Sequence, residues 1–106
     1  MNLKEALSEY YKTVDNYNQC DFTDGMNIVS LMKDLSVILS FLAHQKSIYH
    51  DKWVGVTLEE SSVAAGERRA NKEVPELYHL RVILNTGYRI LDTMRSNISY
   101  LKSEQG

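Results

Sequence analysis

The sequence predicts an all-α protein: a long antiparallel hairpin of two helices with a short N-terminal helix packed across it. Coiled-coil-like packing and assembly into an oligomer are expected with it. Three observations carry this expectation. Apolar residues recur at helical spacing in three separate stretches. The one β-prone run, Trp53 to Leu58, continues a seven-residue pattern begun upstream and so reads as the fraying end of a helix. At 106 residues the chain is a single domain, residues 1–106, and a helical monomer of that size often completes its core against another copy. The helices are expected at approximately 2–18, 24–60 and 72–103.

In the first stretch Leu3, Leu7, Tyr10, Val14 and Tyr17 alternate steps of four and three, which places them on one helical face. NQCDFTDGMN then ends the pattern, and Thr23 or Asp24 can cap the second helix. From Ile28 the chain repeats at seven. Ile28, Leu35, Leu42, Tyr49 and Val56 form one row, Leu31 and Ile38 a second, and Met32, Leu39 and Trp53 a third. Beyond Leu42 the second row becomes Gln45 and Lys52, so the C-terminal half is expected to pack less deeply.

The connector VAAGERRANKEVPEL reads as a helix reversal. Gly66 supplies the turn, Asn71 an upstream cap and Pro75 the first turn of the last helix, where its missing N–H costs nothing. The last helix then carries a seam of Leu77, Leu80, Leu84, Gly87, Leu91, Met94, Ile98 and Leu101, widened by Ile83 and Ile90. A glycine inside such a seam is expected where a neighbouring helix approaches the backbone closely. Whether the seam closes within one chain or between chains is open at this stage.

Composition bounds the function. Apolar residues make up 43% and charged residues 25%, values of a folded protein rather than a disordered one. No run approaches the roughly 20 uninterrupted apolar residues of a membrane helix, and the N-terminus is amphipathic rather than leader-like. The expectation is a cytoplasmic protein with no membrane partner. Cys20 is alone, so it is expected to be a reduced, partly buried thiol.

His44 and His50 stand six apart, on different helical faces, and no carboxylate completes a metal-binding pattern with them or with His79. The five glycines are scattered and build no phosphate-cradling loop. No metal, no cofactor and no catalytic residue are expected, and the chain reads as a non-enzyme. Of the seven tyrosines, Tyr10, Tyr17 and Tyr49 fall on apolar faces, whereas Tyr11, Tyr78, Tyr88 and Tyr100 lie off the seams.

Net charge is −2, but unevenly spread. Residues 1–65 carry five Lys/Arg against nine Asp/Glu, and residues 66–106 carry seven against five, with all five arginines among them. Arg81, Tyr88 and Arg95 step by seven along the flank of the last seam, where either interhelical pairing or contact with a phosphate backbone would use them.

The stretch from about residue 40 to 104 resembles the small helical proteins of phage recombination operons, which are similar in turn to UvsY-type recombination mediators. The features that carry the likeness are HQKSIYHDKW, the turn at Glu67, Arg68 and Ala70, the Pro-Glu-Leu helix start, and the ending at Met94, Arg95, Ser96, Ile98, Leu101 and Lys102. The resemblance implies an oligomeric protein that binds single-stranded DNA and helps a recombinase displace single-strand-binding protein. Its DNA contacts would fall on Arg68, Arg69, Lys72 and Arg95, with Arg81 and Lys102 of the charge pattern beside them. Such mediators are more basic than this chain. The alternative is therefore a protein-binding module, an inhibitor or adaptor of a host protein, acting through an apolar and acidic surface at Asp34, Asp51, Glu59 and Glu60.

Overall fold

The computed structural model describes residues 1–105, which form four helices and, among the described residues, no strand. Helix α1 spans Leu3–Gln19, α2 Gly25–Thr57, α3 Val63–Glu73 and α4 Pro75–Gln105. Each of the first three starts on a side-chain cap that satisfies an otherwise orphaned backbone N–H. Asn2 accepts from the Glu5 N–H, Asp24 from the Asn27 N–H and Ser62 from the Ala65 N–H. Pro75 opens α4, as its fixed backbone geometry allows.

Helices α2 and α4 run antiparallel. A methyl group on Gly25, at the start of α2, would lie 3.5 Å from Leu101 near the end of α4, and Gly87 packs on Leu39 midway. Helix α1 lies lengthwise rather than across them: Leu3 and Leu7 share a depression with Pro75 and Leu80, and Tyr10 reaches Gly87. Ala6, Tyr10 and Tyr17 of α1, Ile28, Leu31, Leu35, Ile38, Leu39 and Leu42 of α2, and Leu80, Ile83, Leu84, Leu91 and Met94 of α4 form one buried core. Each fully buried Leu or Ile contributes about 1.5–3 kcal/mol by leaving water.

The seam of the last helix therefore closes within the chain. Leu77, Leu80, Leu84, Gly87, Leu91 and Met94 are buried, while Ile98 and Leu101 are half-buried near the end of the bundle. Gly87 is where the close approach occurs, since a Cβ there would collide with Leu39 and sit 3.2 Å from Tyr10 Cε2. Burial pushes the Tyr10 phenol above its ordinary pKa, with Tyr11 adding to it.

The connector is a helix, not a reversal loop. Helix α3 occupies residues 63–73, so the expected start of the last helix at 72 falls instead in the final turn of α3, and α2 ends at Thr57 rather than 60. The chain reverses once, at Leu58–Ser62; at Val74, which is buried, α3 passes into α4 without a second reversal, both helices running antiparallel to α2. Gly66 is not the turn residue: it presses α3 onto α2, where an added Cβ would stand 2.6 Å from the Thr57 carbonyl oxygen. Nor does Asn71 cap α4. Its Oδ1 accepts a 2.9 Å hydrogen bond from Trp53 Nε1, tying α3 to α2.

Helix α2 also corrects the reading of its hydropathy. It contains an 18-residue window of mean hydropathy 1.5, enough in length and composition to cross a membrane. The uninterrupted-run criterion passes over it because Lys33 and Asp34 break the apolar sequence. A buried core helix satisfies the same composition, and the inner face of α2 is the centre of this core. The assembled rod measures 62 × 25 × 18 Å.

Candidate nucleic-acid interface

The six cations singled out in the sequence do not form one patch. Arg69 sits in a cage of carboxylates: Nη2 lies 2.8 Å from Glu59 Oε2, Nη1 3.3 Å from Glu60 Oε1 and Nε 2.8 Å from Glu73 Oε1. Its hydrogen bond to Glu73 and that carboxylate's charge, then Glu59 and Glu60, raise the guanidinium pKa further above its ordinary value. Arg95 pairs at 3.0 Å with Asp92, one turn before it. Arg68 and Lys72, four apart on α3, are exposed, and Arg68 Nε reaches the Ala64 carbonyl at 3.4 Å. Lys102 lies at the far end of α4 beside Lys33.

Arg81 is placed differently. The antiparallel register of α2 and α4 brings it opposite Lys46 and His50, which are four apart and so share a face of α2. Between them runs a groove of about 410 Å³ whose floor is Ala43 and Leu84 and whose α4 wall continues through Asn85 to Tyr88. Among the described residues no carboxylate lines it. Arg81 makes no ion pair among the described residues. It also borders a second depression holding Tyr78 and Asn71.

Aromatic groups flank the cations. The Trp53 ring stacks on His50 with centroids 6.1 Å apart and planes 13° from parallel, and its Nε1 is committed to Asn71. Tyr78 and Tyr88 are exposed on either side of Arg81. Cations that track a phosphate backbone beside exposed rings on which bases stack are the two elements of sequence-tolerant single-strand binding. Hydroxyl and amide groups at Ser47 and Asn85 add hydrogen-bonding capacity.

Lys46 and His50 lie outside the cations singled out by charge. A signal for Lys46 was present: it occupies the position between Leu39 and Trp53 in an otherwise apolar seven-residue row. Only the pairing of α2 with α4 gives that interruption a meaning. Among the described residues no group of three or more His, Cys, Asp or Glu is arranged to hold a metal ion. Comparison with protein-family models, with curated proteins and with solved structures yields no match to this chain.

Proposed function

We propose that this chain is a non-enzymatic accessory protein of DNA recombination that binds single-stranded DNA weakly along the α2–α4 groove. The observation that carries the reading is the convergence of Arg81, Lys46 and His50 beside Tyr88 in a groove whose described lining holds no carboxylate. A role beside a recombinase or a single-strand-binding protein rests on the resemblance of residues 40–104, and with it the expectation of a cytoplasmic, oligomeric protein. Arg68 and Lys72 on α3 are the secondary contacts. Arg69, already surrounded by carboxylates, contributes structure rather than affinity.

Fluorescence anisotropy with labelled oligo(dT) at low salt tests the proposal. The native chain binds, and affinity falls as salt rises because phosphate neutralisation releases counterions. Changing Lys46 and Arg81 together to Ala lowers affinity about tenfold or more and reduces the salt slope by roughly 1.4, about 0.7 for each lost phosphate contact. Arg69→Ala, which removes no phosphate contact, leaves the salt slope unchanged. No binding by the native chain at low salt would overturn the reading. In the competing view, an acidic surface for a host protein, Glu59 and Glu60 would have to exchange their pairing with Arg69 for the partner.

A further inference from the structure

Helix α2 carries exposed apolar residues on the side away from the core. Val37 is 65% exposed and Ile48 40%, Phe41 between them is half-buried with one edge against the core, and exposed His44 completes a stripe with steps of four, three and four. Val37 lies nine residues from buried Ile28, half a turn round the helix. Only 33% of the apolar window of α2 is buried inside the chain. Apolar residues exposed together on a helix already packed through its other face mark a contact surface.

The charges beside the stripe identify what covers it. Lys33 and Asp51 are eighteen residues apart, five full helical turns, and therefore lie on one flank. Asp34 and Lys52 lie on the other for the same reason. Reversing the helix about a point between Leu42 and Ala43 carries Val37 onto Ile48 and Phe41 onto His44. The same reversal brings Lys33 within one residue of Asp51, and Asp34 within one residue of Lys52. In a two-fold antiparallel helix pair each flank meets its own counterpart, so both flanks match opposite charges.

We propose that α2 pairs antiparallel with α2 of a second copy of this chain. Val37 packs on Ile48 of the second copy and Phe41 on His44, with Lys33–Asp51 and Asp34–Lys52 ion pairs each formed twice. All four charged residues are exposed in the single chain, and Lys33 and Asp51 are about 27 Å apart along α2, too far to pair with each other. A lipid surface would not call for opposite charges at matched positions along each flank. Lys46 and His50 face the opposite side of α2, so the dimer leaves both α2–α4 grooves open, and the inference stands independently of DNA binding.

Charge reversal tests the pairing. By light scattering and sedimentation equilibrium, the native chain dimerises within the micromolar range. The Lys33→Glu/Asp34→Lys variant and the Asp51→Lys/Lys52→Glu variant each weaken dimerisation about tenfold or more, since four attractive contacts become repulsive. Mixed together, the two variants form a heterodimer, a rescue that loss of fold would not permit. Circular dichroism of each variant alone establishes that its helices persist. A native chain that stays monomeric at high micromolar concentration overturns the inference. So does a dimer indifferent to either reversal, the result expected of parallel helices or of another face. Partition of the native chain onto phosphatidylcholine vesicles in place of dimerisation overturns it too.

Discussion

Gly55 and Gly66 stand eleven residues apart and are limited by opposite things. Nothing lies within 4 Å of a Cβ placed on Gly55, in the last turns of α2, so Gly55→Ala should stabilise the fold by roughly 0.5–1 kcal/mol through helix propensity. At Gly66 the same methyl group meets the backbone of Thr57, which cannot swing aside as a side chain does. Gly66→Ala should therefore destabilise by about 1–2 kcal/mol, the cost of overpacking outweighing the propensity gain. Urea denaturation of the two variants checks both signs. The Cys20 thiol offers a second test at this scale. Burial, then the charges of Asp21 and Asp24, push its pKa up, so little thiolate is present at neutral pH. Alkylation by iodoacetamide should be slower than for an unperturbed thiol at neutral pH and keep rising with pH beyond the point at which an ordinary thiol's rate levels off. Asp21 shifts the other way because it accepts from the Thr23 hydroxyl at 2.7 Å and the Thr23 N–H at 2.9 Å.

At the scale of elements, α1, α2 and α4 were legible because large apolar side chains mark their inner faces at helical spacing. Helix α3 was not. It meets α2 through Gly66 and Ala70, residues too small to register in an apolar pattern, and the same smallness that hides them lets the two helices approach. Its remaining clues were the cap at Ser62 and a run of good helix formers, and the doubled arginine drew attention away from both. The Trp53–Asn71 hydrogen bond and the Gly66 contact hold α3 in place. Asn71→Ala should accordingly raise amide exchange across residues 63–73 while the buried turns of α1 and α4 keep their protection. Equal loss of protection in all four helices would mean that α3 is an inseparable part of the core.

For the molecule as a whole, the candidate groove was the least legible feature, because it depends on register. Arg81 was visible as a flanking arginine, but its partners come from the helix running the other way, and no spacing within one segment reveals which residues will face it. Thermal unfolding offers a test at this scale. If α2 of one copy pairs with α2 of another, the melting temperature should rise with protein concentration, and Val37→Glu should abolish that dependence.

The cage around Arg69 has a consequence for the electric field of the rod. One arginine and three glutamates sum to −2, which is the formal charge of the entire chain. Outside that cage the formal charges sum to zero, the excess carboxylates of residues 1–65 being offset by the excess cations of residues 66–106. A polyanion drifting toward the protein meets repulsion at the α2–α3 junction and none of comparable density along the flank from Arg81 to Tyr88. The cage thus disfavours approach at Glu59 and Glu60 relative to approach along the flank from Arg81 to Tyr88.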